Sequence, residues 1–453
     1  MILEQHYLDC LSQASYLIAD AGRAVVVDPR RDIGVYLDSA RRHGVRIDLI
    51  IETHVHADFL SGHRELAAAT GASIAYGPGA DVDGPVRRLV DGERIPYGAV
   101  SLEILHTPGH THESICVVVH DHCGRPHAVL TGDTMFVGEV GRPDLVGGGA
   151  DGARAQARRL HDSIHSRLLT LPDETLVYPG HGAGSACGTG SSTDLVSSIG
   201  TERATSPALA GLTLAEFVDR ATEGRGTPPP HFARTAELNR RIRPLLDESA
   251  PVDALTPSDV ARRRRAGHVV VDAREPHTFA QRHLADSVNL PLSARFAELA
   301  GALLPFDRDL ILMTARGDER EARNRLARVG LDRIAGYSVA LPDADLRRSV
   351  RRSPADVAER LKHPPRPTVL DVRSRTETER GVIESSLPIP LPELVDRLDE
   401  LDGSNAVIVV CASGTRSSVA ASLLRRNGFT DVSDLASGLQ HWPGRLVPPP
   451  RAL

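Results

Sequence analysis

Short apolar runs that stop at polar clusters set the rhythm of the first half of the chain. Residues 24–27 end at Asp28-Pro29, residues 49–51 lead to Thr53-His54, and residues 128–130 lead to Thr131-Gly132-Asp133. Runs of this length, closed by Gly, Pro, Asp or Thr, predict buried strands with loops at their ends. Helical spacing appears between some of them, over 63–70 and 153–169. Gly147-Gly148-Gly149 predicts a loop, and Thr227-Pro228-Pro229-Pro230 predicts a break near the end of the block. A polar stretch over 236–246 predicts a helix leading out of it.

The rest of the chain carries one pattern twice. Val271-Asp272-Ala273-Arg274 returns as Leu370-Asp371-Val372-Arg373, and Asn289-Leu290-Pro291-Leu292 returns as Pro388-Ile389-Pro390-Leu391. Residues 310–331 align with 407–429 as strand, loop and helix. The offset is 99 residues from Asp272 to Asp371 and 97 from Thr314 to Cys411. A near-constant offset over several elements indicates two copies of one domain. Alternating strands and helices predict a parallel sheet covered by helices in each copy. The expected domains are residues 1–246, 247–348 and 349–453, which suits a chain of 453 residues.

Composition narrows the function classes. Lys and Arg number 53 against 59 Asp and Glu, a net charge of −6, so general nucleic-acid binding is not expected. The run Arg262-Arg263-Arg264-Arg265 reads as a solvated helix face. Five cysteines form no disulfide framework and suit a reducing compartment. The first residues lack a basic segment followed by an apolar one, and no run approaches the roughly 18 apolar residues of a membrane span. A cytoplasmic protein without a membrane partner is expected, with self-association left open.

The candidate chemistry lies in four stations. Thr53-His54-Val55-His56-Ala57-Asp58 follows the run at 49–51, and a strand carrying residues i and i+2 would put both imidazoles on one side. Thr107-Pro108-Gly109-His110, Leu130-Thr131-Gly132-Asp133 and Tyr178-Pro179-Gly180-His181 each follow or close an apolar stretch. Loops at strand ends bring distant residues together, and His and Asp suit zinc or iron.

These stations resemble the metallo-β-lactamase fold, which implies two packed β-sheets with helices outside and a metal site at one edge. Binuclear hydrolases of that fold, such as hydroxyacylglutathione hydrolase, carry His-x-His-x-Asp-His; here the last position is Phe59, whose ring cannot coordinate a metal. Persulfide dioxygenases are the closer resemblance. It rests on the His54–Asp58 motif, Thr131-Gly132-Asp133-Thr134-Met135-Phe136, Gly141-Arg142-Pro143-Asp144-Leu145 and Tyr178-Pro179-Gly180-His181-Gly182-Ala183-Gly184. That resemblance implies one Fe(II), with zinc as the alternative, held by His54, His110 and Asp133. Such a face leaves positions open for O2 and substrate. His56, Asp58 and His181 then orient ligands, water or substrate, or touch metal as the alternative. Arg142 is a candidate for holding an anionic part of a thiol substrate, and Cys187 for handling persulfide sulfur. His112 is expected to play a structural part, and Cys116 to be core.

In the second copy, the run at 406–410 ends at Cys411, and Cys411-Ala412-Ser413-Gly414-Thr415-Arg416 leads into a helix expected from about 417 to 427. Unpaired N–H groups at a helix start favour a thiolate, and Arg416 adds positive charge. The Cys-x4-Arg loop and the late Gly438-Leu439-Gln440-His441-Trp442 segment resemble rhodaneses, which implies sulfur transfer by Cys411 with Ala412, Ser413, Gly414 and Thr415 cradling the sulfur. Copy one has Thr314 and Glu319 in place of Cys411 and Arg416, so it is expected to be silent. The expected function joins the sites: a low-molecular-weight thiol persulfide is oxidised with O2 to sulfite, and sulfur transfer gives thiosulfate. The rivals are a thioester hydrolase and a non-oxidative persulfide carrier or sensor.

Overall fold

A computed structural model of the chain describes residues 1–188, 192–209, 211–223 and 226–449. The expected end of the third domain, residues 450–453, lies outside them. The chain forms two compact units: Met1–Glu248 with Ala327–Gly330, and Ser249–Leu326 with Leu331–Leu453.

The first unit is built on two six-stranded sheets. Side-chain alternation explains why they stack. Val25, Val27, Leu49 and Ile51 face Leu102, Ile104, Val117, Val119 and Leu130 across the middle of the sandwich. Their neighbours Val26 and Ile50 point the other way, against Tyr36, Ala40 and Leu66 of the helices Gly34–His43 and His63–Thr70. On the opposite outer face, Cys116, Val118 and Val129 pack on Ala157, Leu160, Ile164 and Phe217. Both faces of each sheet are thus covered, giving a helix–sheet–sheet–helix sandwich.

Two predicted helices differ from those observed. The helix expected at 153–169 runs Gly149–Ser163 and continues as a π-helical turn, Ile164–Leu168. Asp151 in the first turn favours this early start, so the glycine loop loses one residue to the helix. The helix expected at 236–246 is instead Phe232–Arg240. Pro244 disfavours helical conformation just before it, and Arg243 is held by Glu65 and the Ser61 carbonyl.

The second unit holds two parallel sheets, as the repeat predicts. In copy one the order is Val288–Asn289, Val269–Asp272, Leu310–Met313, Ile334–Ser338, all parallel. In copy two it is Val350–Arg352, Val432–Leu435, Val407–Val410, Thr368–Asp371, Leu387–Pro388, also parallel. No helix among the described residues is long and apolar enough to cross a membrane.

Leu102 is fully buried at the centre of the sandwich. Leu102→Ala should destabilise the protein by about 2–5 kcal/mol, through lost burial and the cavity left behind. Calorimetry should show this as a lowered unfolding midpoint.

Candidate metal centre and cysteine loop

The four stations converge because their strands do. Pro126–Gly132 and Leu176–Pro179 are parallel neighbours with Leu130 opposite Tyr178, so Asp133 and His181 leave the sheet side by side. Gly180 permits the close approach: a Cβ there would lie 2.7 Å from Asp133 Oδ1. The loop after strand Arg46–Glu52 is held from both sides, Ile115 N–H donating to the Thr53 carbonyl and Val55 N–H to Glu113.

His54, His110 and Asp133 come together, each buried. Hydrogen bonds fix which nitrogen of each ring faces the centre. The Thr53 hydroxyl donates to Asp28 Oδ2 at 2.8 Å, so it accepts from His54 Nδ1–H at 2.9 Å. His110 Nδ1–H donates to the Arg142 carbonyl at 2.9 Å. Both Nε2 lone pairs are left facing Asp133 Oδ2, at 3.9 Å from His54 and 3.5 Å from His110. His54 Nε2 and Asp133 Oδ2 are buried without a hydrogen-bond partner. Burial above all holds both imidazoles below their usual pKa, and so neutral. Two neutral imidazoles and a carboxylate with free atoms aimed at one point fit a single divalent metal.

His181 is engaged at both ring nitrogens. Nδ1 lies 2.8 Å from Asp133 Oδ1 and Nε2 lies 2.7 Å from Asp58 Oδ2. Burial opposes its charge, but Asp133 and Asp58 outweigh burial and push its pKa up to about 10. A protonated His181 donates to both carboxylates, which leaves Asp133 Oδ2 for a metal. His56 differs from the sequence expectation. The strand ends at Glu52, so the alternation does not extend to residue 56. The two rings lie 4.2 Å apart, yet His56 Nε2 turns to Asp28 at 3.0 Å and Glu52 at 3.2 Å. Phe59 packs on the other side of His56, ring centroids 4.4 Å apart.

Arg142 forms a structural ion pair with Asp144, the alternative to holding an anionic part of a substrate. Four of its five N–H groups are used: Nε and Nη2 on Asp144, Nη1 on the Ala186 carbonyl, and Nη2 again on the Gly226 carbonyl. It braces the loop that also carries Cys187, whose carbonyl accepts from Arg142 N–H at 3.2 Å. Cys187 is buried beside Asp58 and His181. Burial, reinforced by Asp58 and Asp133, holds its thiol pKa well above the ordinary value. A small cleft of about 20 Å³ opens here, lined by residues that include Phe136, Glu139, His181 and Ser185. His112 Nδ1 accepts from Gln156 at 3.0 Å, and Cys116 is core, as expected. Sequence reasoning missed Asp28 and Glu52, although each closes an apolar run as Asp133 does.

In copy two, Cys411 ends strand Val407–Val410 and is fully buried. Gly414 N–H donates to its Sγ at 3.1 Å and Ser417 N–H at 3.3 Å, the latter from helix Thr415–Arg426. Gly414 has φ +93, and a Cβ there would meet the Ala436 carbonyl at 2.0 Å. Leu439 N–H and Gln440 N–H donate to the carbonyls of Cys411 and Ala412, which places the late Gly-Leu-Gln segment beneath the loop. Arg416 pairs with Glu377 through two contacts of 2.7 Å, a partner that sequence reasoning missed. Ser374 and Glu377 form a capping box, a signal that was legible three residues apart.

Copy one keeps the turn and loses the chemistry. Gly317 has φ +96, matching Gly414. Its N–H donates to Glu319 Oε2 at 2.9 Å, so a carboxylate takes the amide that reaches sulfur in copy two. Thr314 is buried at the cysteine position.

Comparison with known proteins agrees with this architecture. A metallo-beta-lactamase superfamily model matches residues 8–181, and a rhodanese-like domain model matches 256–340 and 353–444. The chain belongs to the metallo-beta-lactamase superfamily, with two rhodanese-like domains following that domain. It is similar to a crystal structure of a metallo-beta-lactamase from Staphylococcus aureus, with TM-score 0.66 and 31% identity, covering 75% of this chain and 98% of that one. It is 35% identical over 169 residues to a probable hydroxyacylglutathione hydrolase of Schizosaccharomyces pombe, covering 36% of this chain and 61% of that protein. It is 30% identical over 193 residues to a mitochondrial persulfide dioxygenase of Homo sapiens, covering 40% of this chain and 68% of that protein. The chain thus spans about three fifths of the hydrolase's length.

His110→Ala should reduce bound metal to a small fraction of the parent's, because two ligands do not maintain the three-ligand face; elemental analysis of the purified chain measures this. The Arg416–Glu377 pair should be acid-resistant. Burial opposes it, but Arg416 and Ser374 hold the Glu377 pKa down to about 2, below its ordinary 4.5. The pair's contribution is therefore complete above about pH 4.5 and lost as pH falls toward 2. The stability difference between the parent and Glu377→Gln should be constant from pH 7 to about 5 and shrink below that in acid denaturation curves.

Proposed function

We propose that this chain oxidises a low-molecular-weight thiol persulfide with O2 to sulfite at the His54–His110–Asp133 face. Copy two then transfers sulfane sulfur through Cys411 to give thiosulfate. The overall oxidation is RSSH + O2 + H2O → RSH + SO3²⁻ + 2H⁺, in which the outer sulfur is oxidised and O2 reduced. The observation that carries this reading is the three-ligand face itself: three free donor atoms converge, His181 has both nitrogens engaged, and Phe59 stands where a binuclear hydrolase has a ligand. Fe(II), the metal on this reading, would supply open positions for O2 and persulfide, with zinc as the alternative.

The chain's own residues then set the geometry. Thr53 and the Arg142 carbonyl hold the two imidazoles in the tautomer that presents Nε2. His181 holds Asp133 in place and keeps a proton between Asp133 and Asp58. Cys187 is buried beside His181, which lines the cleft. In copy two the thiolate of Cys411 attacks the outer sulfur of R–S–SH. A Cys411 persulfide forms, the S–S bond of the donor breaks, and RSH leaves with the proton. Sulfite then takes the outer sulfur as thiosulfate and restores Cys411. The Gly414 and Ser417 amides hold the negative sulfur in both states.

A second reading, thioester hydrolysis, is favoured by the similarity to a hydroxyacylglutathione hydrolase. Glutathione persulfide and oxygen uptake separate the two. The proposed reading expects about one iron per chain and oxygen consumption matched to sulfite plus thiosulfate. Two zinc ions per active chain, with thioester cleavage and no oxygen uptake, would give the hydrolase instead. Cys411→Ser should keep oxygen uptake, because it leaves the metal face untouched, while early product shifts from thiosulfate toward sulfite by mass spectrometry. Unchanged thiosulfate formation in that variant would remove Cys411 from the scheme.

A further inference from the structure

Within the second unit a buried side chain of copy one is hydrogen-bonded to a helix of copy two. Asn289 closes the short strand Val288–Asn289 of copy one and is fully buried. Its side-chain amide donates to the carbonyls of Asp272 at 3.1 Å and Arg274 at 2.9 Å. Its Oδ1 accepts from Ser418 Oγ at 2.7 Å, and its backbone N–H donates to Ser422 Oγ at 3.0 Å. Ser418 and Ser422 stand one turn apart on helix Thr415–Arg426 of copy two, both buried.

The repeat shows that this contact runs one way. Asn289 pairs with Asp272 as Pro388 pairs with Asp371, so Pro388 is its counterpart, with neither an amide side chain nor an N–H. The counterparts of Ser418 and Ser422, 97 residues earlier, are Glu321 and Arg325, which pair with each other at 2.6 Å. Among the described residues the Asn289–Ser418–Ser422 set therefore has no mirrored counterpart, and Arg426 of the same helix adds a bond from Nη1 to the Asp286 carbonyl at 2.8 Å.

That helix is the one whose first turn serves Cys411. Ser417, next to Ser418, supplies an N–H to Cys411 Sγ, and its hydroxyl reaches Asp434 and the Leu435 carbonyl at 3.3 Å each. Ser417 is thus tied to its own sheet on one side, and Ser418 to Asn289 on the other. A helix rotated about its axis would carry the Ser417 amide away from sulfur.

We propose that Asn289 of the copy lacking the cysteine is a positioning residue for sulfur transfer at Cys411. It fixes the rotation of helix Thr415–Arg426 so that the Ser417 amide meets the sulfur. The proposal rests on the sulfur-transfer reading and gives the silent copy a task within it.

The test uses the full chain with Asn289→Ala, Ser418→Ala and the double variant. Two quantities are read: steady-state sulfur transfer from thiosulfate to cyanide, and the rate of Cys411 alkylation by iodoacetamide, followed on its peptide by mass spectrometry. Ser418→Ala should lower kcat and the alkylation rate by about tenfold, the worth of one buried hydrogen bond, and Asn289→Ala, which also loses the bonds to Asp272 and Arg274, by at least as much, with KM for thiosulfate within about twofold. The double should be no slower than the slower single, because both remove the same bond. Parental rates in either folded single variant would overturn the proposal. So would losses that multiply in the double, or losses that track the unfolded fraction by circular dichroism. Absence of sulfur transfer in the parent would instead overturn the sulfur-transfer reading, while the alkylation rates still decide the place of Asn289.

Discussion

One buried carboxylate decides what His54 offers to the first site. Asp28 accepts from both the backbone N–H and the hydroxyl of Thr53. Having given its proton to Asp28, Thr53 has only a lone pair left for His54, and His54 must present Nε2 to the centre. The same carboxylate holds His56 away from the centre. The acid at the end of the strand Arg23–Val27 therefore orients one imidazole toward the centre and, together with Glu52, withdraws another. Asp28 also holds a left-handed backbone conformation at φ +53, which an apolar side chain adopts only with strain.

The second unit solves a related problem with amides. Sulfur at the end of a buried strand needs partners that carry no proton to lose, and backbone N–H groups are such partners. Gly414 and Ser417 provide them because a left-handed glycine turns the chain directly into a helix. Both sites are buried. The cradles differ in kind: converging lone pairs in the first unit, converging donors in the second.

The sequence made the architecture legible wherever local pattern decides it. Continuous apolar runs such as 24–27 and 49–51 foretold buried strands, and the repeat foretold two parallel sheets. The convergence of the four stations was legible because each stands beside a strand end, whereas the choice of His54, His110 and Asp133 among them came from the resemblance. What escaped was set by partners distant in sequence. Arg142 is consumed by Asp144, Ala186 and Gly226, and no motif around residue 142 announces the last two. His56 turns away because Asp28 and Glu52 lie behind it, although its spacing from His54 suggested a shared direction. Pro244 was visible as a helix breaker, but the ion pair that draws Arg243 inward was not.

The capped loop of copy one has a consequence for how the chain can change over time. Thr314 and Glu319 would have to be replaced together to rebuild the arrangement of copy two, because a cysteine introduced alone would share its loop with a carboxylate already bound to Gly317. Position 314 alone is therefore no switch: with the turn's amide already spent on Glu319, a second cysteine loop takes two changes at once.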